Sequence, residues 1–452
     1  MTPGTAGEAV RPIIGPWQAS SVVVGMVVGA GIFRSASVVG ATLGSPTAVY
    51  VAWLIGGIVA LIGALCYAEL SSAFPHPGGD YRFLKEAYGE TIAFLFAWSR
   101  FAVIFTASAA MLAFVGTDYL NELVPMSSNM RAAVAAMMVV TLALINLRGL
   151  KTSARSEVTF VALDVIALLA LGGAALWLVF QGGAPVDATV PAVSATGGFG
   201  VAMVYVMLAY GGFNDAATLS SEVRHPRDMT RALVGGMAAV TVLYLIANWS
   251  YLRVLGPNGL ATSGAPAAAV MHAVFGDVGR TIMVGAVGVA SIAVLNALLI
   301  VGGRTLYAAS ADLPGLERLA TWDESRGVPR AAIILQTVIT LALIVWGALT
   351  PTGFATMVDY MSPVYWLFLA LSALALPLLR RKRPDAVRPY RVPLGPLLPL
   401  TFAGVSIYIL WASVLYVGWI GTAISFGTLV VGLLVRAALR GFAGRGGATR
   451  TR

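Results

Sequence analysis

Long runs of apolar residues alternate with short polar segments along the whole chain. Each run is about 20 residues long, the length that a helix needs to cross the hydrocarbon core of a bilayer. The pattern predicts twelve transmembrane helices, at residues 17–41, 46–73, 91–115, 131–147, 156–181, 199–221, 231–254, 281–310, 331–349, 353–379, 395–417 and 419–440. The flanking residues 1–16 and 441–452 are predicted to be tails.

The composition agrees with a multi-pass membrane protein surrounded by lipid. Of its 452 residues, 58% are hydrophobic and 11% are charged, whereas an average soluble domain has roughly 25% charged residues. The chain has a single cysteine and 3 scattered histidines, which form no pattern typical of a zinc site or a disulfide framework. We therefore expect no bound metal, no cofactor and no enzymatic activity.

The net charge of +9 is distributed unevenly along the chain. If the amino terminus lies in the cytoplasm, most of the 29 Lys and Arg residues fall in cytoplasmic segments, and the densest cluster lies between residues 380 and 391. This bias predicts a protein of the cytoplasmic (inner) membrane with both termini in the cytoplasm. The same placement argues against a nucleic-acid partner.

Two of the predicted spans contain glycines in their middle. Span 1 carries Gly29 and Gly31, and span 6 carries Gly211 and Gly212. If five spans form a unit, residues 17–181 and 199–379 are two such units, each beginning with an interrupted span, and residues 395–440 add helices 11 and 12. Interrupted spans at corresponding positions indicate an inverted-repeat transporter and its substrate site.

An interruption at mid-membrane frees backbone groups that must be buried in protein or line a cavity. A zwitterionic amino acid can satisfy such groups at both of its ends. We expect its carboxylate to bind the N–H groups of Ala30, Gly31 and Ile32 at a helix start, and its ammonium to bind carbonyls near Val27 and Tyr210. Glycine at these points lets the ligand approach the backbone.

Several motifs resemble the amino acid, polyamine and organocation transporter superfamily. "VVGAGIF" (Val27–Phe33) resembles its first-helix signature, and "LAYGGFND" (Leu208–Asp215) resembles the sixth-helix signature of the L-type amino acid transporter branch. "LCYAELSSAFPHPGGDYRFLKEAYG" (Leu65–Gly89) is similar to the second helix and first loop of that branch. The resemblance implies an all-α, leucine-transporter-type fold with twelve helices, a five-plus-five inverted repeat and discontinuous helices 1 and 6. It also implies secondary amino acid transport by alternating access.

The resemblance further assigns roles to the residues around the second interruption. It implies that the backbone of span 6 frames the amine and the side-chain pocket, with two residues at the cytoplasmic side of that pocket. The residues concerned are Tyr210, Gly211 and Gly212, followed by Phe213 and Asn214.

Asp164 is the candidate for ion coupling. In "FVALDVIAL" (Phe160–Leu168) it stands where many relatives carry a lysine that takes the place of a sodium ion. Ionisable groups inside a membrane often mark ion paths, so we hypothesise that Asp164 binds a proton. A purely structural carboxylate and a sodium site are the alternatives.

Other polar residues are candidates for gating. Leu208 stands where relatives often have an aromatic gate, which leaves the occluding residue open. Glu69 and Glu222 are possible gate partners for Arg82, Lys85 or Arg224, with a solvated surface charge as the alternative. Arg34 is expected to face the outer vestibule or to pair with an acid, with help in holding an anionic substrate as the alternative. Arg100 is expected to pair with a carboxylate.

The substrate class follows from the charges near the predicted pocket. Neutral amino acids are favoured, while Asp215 keeps cationic amino acids and polyamines open as alternatives. In animal members of the L-type branch that this sequence resembles, a cysteine in the outer loop after helix 3 bonds a glycoprotein partner, the heavy chain. The corresponding loop here, Gly116–Met130, contains no cysteine, so no disulfide-linked heavy chain is expected. A channel or a membrane-embedded enzyme is a remote alternative, because no charge ring or paired catalytic residues are evident.

Overall fold

A computed structural model of the chain describes residues 15–29, 31–76, 78–149, 154–183, 198–216, 220, 223–311 and 319–448. The regular elements in these ranges are helices, apart from an isolated bridge between Asp323 and Val328. In chain order they are α1 (Pro16–Val27), α2 (Ile32–Leu43), α3 (Pro46–Ala73), α4 (Asp80–Tyr88), α5 (Glu90–Ser99), a π-helix (Arg100–Phe105), α6 (Thr106–Leu120), α7 (Ser128–Leu147), α8 (Ala154–Phe180), α9 (Phe199–Ala209), α10 (Phe213–Ala216), α11 (Pro226–Thr262), α12 (Pro266–Ala311), α13 (Arg330–Ala348), α14 (Gly353–Lys382) and α15 (Leu397–Ala448).

The all-helical, multi-pass character predicted from the sequence is confirmed. Within the described ranges, 9 helical stretches are long and apolar enough to cross a membrane, and α1 with α2 makes a bent pair that raises this number to 10. The long α15 covers predicted spans 11 and 12 and leaves helical geometry at Gly418, where φ is 72°. The count of twelve spans and the inverted repeat remain predictions.

The first span is broken where the sequence predicts it. α1 ends at Val27, α2 begins at Ile32, and the two axes are bent by 48°. The break therefore lies inside one apolar run. The first half-helix, α1, ends in the interior of the helical bundle, and the second, α2, begins there.

The sixth span is also broken, and its break touches the first one. α9 ends at Ala209 and α10 begins at Phe213. Between them Gly212 has a φ of +108°, a conformation that side chains disfavour. A Cβ atom on Gly212 would also collide with the backbone carbonyl of Met26 in α1. Glycine is thus required here for its conformation and for the close approach of the two broken spans.

The connection between α3 and α5 contains a short helix, α4. It lies between Gly79 and Gly89, whose positive φ values of 46° and 88° end the helical geometry on either side of it. Phe83 and Leu84 on this helix are buried. The apolar face of α4 therefore anchors the connection against the bundle.

Candidate functional site

The start of α2 presents free backbone donors next to open space. Its N-cap, Gly31, provides no side-chain cap. The N–H groups of Gly31, Ile32 and Phe33 donate to no backbone carbonyl among the described residues, as is usual for a helix start. A Cβ atom on Gly31 would meet no atom within 4 Å. This positive helix end can therefore accept a carboxylate; Ala30 lies outside the described residues.

Tyr244 of α11 joins the two breaks. Its buried hydroxyl lies 3.0 Å from the carbonyl oxygen of Val27 and 3.0 Å from that of Ala209. These are the last residues of α1 and α9. A hydroxyl has one hydrogen to donate, and each carbonyl has two lone pairs. The two freed carbonyls therefore keep acceptor capacity, which suits an ammonium group with three donors.

The side chain of Tyr210 points away from the break, although its backbone forms part of it. The Tyr210 hydroxyl donates to the carbonyl of Trp53 at 3.1 Å, and the ring lies against glycines of α3. The Gly211 N–H donates to the carbonyl of the half-buried Leu208 at 3.0 Å. A Cβ atom on Gly211 would lie 3.1 Å from the Tyr365 hydroxyl, so Tyr365 of α14 faces this part of the break.

Asn214 and Phe213 serve different purposes at the start of α10. Asn214 accepts the Gly212 N–H at 3.3 Å and the Tyr365 hydroxyl at 3.5 Å through its Oδ1. It thereby satisfies one of the backbone donors that the break frees. The Phe213 ring packs on Tyr67 at 5.6 Å between ring centroids and on a second ring from α15. Asn214 is thus at the break, whereas the Phe213 side chain belongs to the packing.

Asp164 lies on α8 beside the first break. It is buried and forms no hydrogen bond or ion pair with any described residue, but it interacts electrostatically with Tyr244. One turn earlier on the same helix, the Val161 side chain fills the space beside Gly25 of α1. Asp164 is therefore a buried carboxyl group beside span 1 that has no hydrogen-bond or ion-pair partner among the described residues.

A cluster of charges lies on the other side of the second break. As predicted, Arg100 pairs with a carboxylate: its Nη2 lies 2.7 Å from Oδ1 of Asp215. Arg100 opens the π-helix, and its guanidinium lies 4.5 Å from the centre of the Phe105 ring. Asp80 at the start of α4 accepts a hydrogen bond from Tyr67 at 2.6 Å. Burial raises the pKa of Asp80 to about 6. Both carboxyl groups line one small cavity.

In this structure Glu69 does not pair with Arg82, one of the gate partners considered for it. Glu69 is 0% exposed and accepts hydrogen bonds from Arg380 of α14, at 2.8 Å to Oε1, and from the Val392 N–H, at 2.7 Å to Oε2. Arg82 lies on the outer face of α4, where Glu86 is one turn away at 2.8 Å. Glu69 therefore fastens the segment after α14 to the end of α3.

Arg34 pairs with an acid, as the sequence predicts. Its Nε lies 3.3 Å from Oδ2 of Asp118 at the end of α6. The other oxygen of Asp118 accepts from Arg131 of α7 at 3.0 Å. One carboxylate thus joins two arginines at the end of the bundle where α6 ends and α7 begins.

Comparison with known proteins agrees with this arrangement. A sequence profile of the amino acid permease family matches residues 14–436. The serine/threonine exchanger SteT of Bacillus subtilis is 28% identical over 417 residues, which cover 91% of this chain and 93% of SteT. The human large neutral amino acids transporter small subunit 2 is 28% identical, with coverages of 93% and 80%. The rat b(0,+)-type amino acid transporter 1 is 27% identical, with coverages of 87% and 81%.

The family match spans both broken helices, the tyrosine that joins them and the carboxyl group beside them. These relatives are membrane transporters, and the chain has the multi-pass helical architecture that such a role requires. From its fold, its broken spans and a match over nearly its full length, the chain belongs to the amino acid permease family of membrane transporters.

Proposed function

We propose that this protein carries neutral amino acids across the cytoplasmic membrane by alternating access, through exchange or with proton coupling. The observation that carries the proposal is the meeting of two broken spans at Tyr244, whose single hydroxyl faces the carbonyls of Val27 and Ala209. Beside them, the start of α2 presents free N–H groups to open space. Freed acceptors and freed donors suit the ammonium and the carboxylate that all amino acids share.

The binding residues in this proposal are those expected from the sequence, acting through their backbone. The carboxylate binds the N–H groups of Ala30, Gly31 and Ile32, and the ammonium binds carbonyls at the ends of α1 and α9. The backbone of Tyr210, Gly211 and Gly212 frames the remaining side of the pocket, with Asn214 below it. Similarity to a serine/threonine exchanger and to a large neutral amino acid transporter subunit supports this substrate class.

The charge pattern favours neutral over cationic substrates. Asp215 is the acid that kept cationic amino acids and polyamines open, and it pairs with Arg100 at 2.7 Å. A carboxylate that already has a guanidinium partner gains less from a second cation. A panel of labelled amino acids tests this: uptake of lysine or of a polyamine above that of threonine or leucine would contradict the assignment.

We propose that Asp164 couples transport to the proton gradient. A buried carboxyl group without a charged partner among the described residues is costly to ionise inside a membrane, so it gains a proton readily. Its charge acts on Tyr244, which joins both breaks. Asp164→Asn is expected to abolish the stimulation of uptake by an inward proton gradient. Asp359→Asn is the matched control, because Asp359 is a second intramembrane carboxyl group and accepts from Tyr205 instead.

Retained stimulation by the proton gradient in Asp164→Asn would refute this role. Stimulation by sodium in the wild type, lost in the same variant, would indicate a sodium site instead.

The remaining parts of the proposal concern location and partners. The bias of positive charge supports a cytoplasmic location of both termini. The single cysteine, Cys66, is buried in α3, which supports a transporter that works without a disulfide-linked heavy chain.

Purified full-length protein in liposomes tests the function directly. Liposomes loaded with one of the twenty amino acids are mixed with labelled threonine or leucine, with and without a proton gradient. Exchange of at least one neutral amino acid above protein-free liposomes is the expected result. If no internal amino acid drives uptake and no gradient does so, the proposal is wrong.

A further inference from the structure

A second polar cleft lies at the end of the bundle where α6 ends and α7 and α14 begin. It has a volume of about 90 Å³. Its lining includes charged groups, a hydroxyl and a glycine: Arg34, Asp118, Glu122, Ser128, Arg131 and Gly353. The positive-inside assignment puts this end of the bundle outside the cell.

The two arginines of the cleft have N–H donors that its acids do not use. Arg34 and Arg131 share one carboxylate, Asp118, and each donates one hydrogen bond to it. A guanidinium has five N–H donors, and these are the only hydrogen bonds of the two side chains within the described residues. The Nε atom of Arg131 is buried without a hydrogen-bond partner among these residues. Unused donors therefore remain on both guanidiniums.

The second acid of the cleft, Glu122, balances the charge of the lining but uses none of these donors. Glu122 is half-buried, and burial raises its pKa. It forms no ion pair with Arg34 or Arg131 among the described residues, and its neighbours Arg280 and His272 both face Asp277. Asp118 is the carboxylate that pairs with both arginines.

The position of Arg34 connects this cleft to the first break. Arg34 follows Gly31 by three residues in α2, about 4.5 Å along the helix axis. Its side chain is 13% exposed and that of Asp118 is 14% exposed, so the pair is shielded but reachable. The backbone of Arg34 therefore lies within one helical turn of the free N–H groups at the start of α2.

We infer that this cleft is an outer carboxylate subsite, in which Arg34 and Arg131 bind the α-carboxylate of an amino acid before it reaches the broken helices. The inference rests on the proposed transport function and adds to it a second, earlier binding position. Asp118 acts in this subsite as a competing carboxylate, which the substrate displaces in part.

This role predicts opposite effects for the two partners of one ion pair. In cells expressing the full chain, Arg131→Gln is expected to raise the external KM for threonine or leucine about five- to tenfold, as for a charge-assisted hydrogen bond at a partly exposed site. Asp118→Asn frees both guanidiniums and is expected to leave this KM unchanged or lower it. Arg253→Gln is the matched control, since it removes the same charge within α11, three residues before Gly256, where this helix leaves helical geometry. Arg253 donates to the carbonyl of Gly183.

An ion pair that only ties α6 to α7 would behave differently. Both Arg131→Gln and Asp118→Asn would then raise the KM or reduce expression together, and that result would overturn the subsite. Arg131→Lys keeps the charge and is expected to restore most of the affinity if Arg131→Gln folds poorly.

A binding measurement separates this proposal from the transport function. Ser128 lines the cleft and is exposed, while the native Cys66 is buried, so Ser128→Cys is open to an anionic, membrane-impermeant thiol reagent. Threonine or leucine at millimolar concentration is expected to slow the labelling of Ser128→Cys several-fold. When Arg131→Gln is combined with Ser128→Cys, this protection is expected to disappear. Protection without transport would preserve the subsite and refute the function; transport without protection would refute the subsite alone.

Discussion

Substitutions at two glycines of the broken spans are expected to distinguish an effect on ligand binding from an effect on folding. Gly31 has ordinary helical angles, with φ of −59°, and a methyl group on it would point into open space. Gly212 has a φ of +108°, and a methyl group on it would strike the Met26 carbonyl. We therefore expect Gly31→Ala to fold and lose transport, and Gly212→Ala to lose the fold.

The magnitudes follow from these environments. At Gly212, the disfavoured conformation costs about 1–3 kcal/mol, and overpacking against a backbone carbonyl adds about 1–3 kcal/mol. Together these are a large part of a typical stability of about 5–15 kcal/mol. At Gly31, alanine as N-cap costs less than about 1 kcal/mol. The methyl group there would block a charge-assisted hydrogen bond worth about 1.5–3 kcal/mol, which weakens binding roughly 10- to 150-fold.

The assay combines thermal unfolding in detergent with exchange in liposomes. Gly173→Ala in α8 is the control, since its added methyl group also meets open space. Gly31→Ala is expected to melt near the wild type and to show a strongly raised KM, whereas Gly212→Ala is expected to melt far lower. Wild-type exchange by Gly31→Ala would show that the space beside Gly31 is not the carboxylate site.

Two further predictions concern hydroxyl and carboxyl groups. Tyr244→Phe removes the one hydroxyl hydrogen that the Val27 and Ala209 carbonyls share and leaves a buried acceptor unsatisfied, a cost of about 1–3 kcal/mol, so we expect a KM raised about 5- to 150-fold. Tyr251→Phe is the control, because that hydroxyl has no hydrogen-bond partner among the described residues, and equal effects would contradict the role of Tyr244. Burial raises the pKa of Asp80 from 3.8 to about 6, so the folded protein holds this proton more tightly than the unfolded chain. Stability should then fall between about pH 4 and pH 6, by roughly 3 kcal/mol in total. The melting temperature is expected to be higher at pH 5 than at pH 7.5, and Asp80→Asn to reduce this difference; the same difference in both proteins would refute the assignment.

The sequence predicts the spans because hydrophobic length is a local property. It also locates both breaks, since glycine inside an apolar run has few other uses than close packing or a change of backbone direction. It does not predict the extent of α12, which begins at Pro266 and leaves helical geometry at Gly276, where φ is 64°. The residues before Gly276 are too few to count as a span, so apolar length alone gave no signal for that helix.

The candidate site is predictable to a lesser degree. The backbone positions at Gly31 and Gly212 follow from residue type, but side-chain partners far apart in sequence do not. Glu69 and Arg380 are 311 positions apart, and nothing in the local pattern of either residue indicates the other. Tyr244 was missed for a related reason: a lone tyrosine in an apolar span is compatible with core packing, lipid contact or a binding role.

The partners of the buried acids explain why we propose Asp164, and not another acid inside the bundle, as the group that couples transport to the proton gradient. Asp215 has Arg100 at 2.7 Å, so a guanidinium already balances its charge. Asp359 accepts from Tyr205 at 3.4 Å, so a neutral donor already faces it. Asp164 has neither kind of partner among the described residues, and it interacts with the tyrosine that holds both breaks. Gain or loss of its proton therefore changes the electrostatic field where the substrate ammonium is expected to bind, which is the physical link that coupled transport needs.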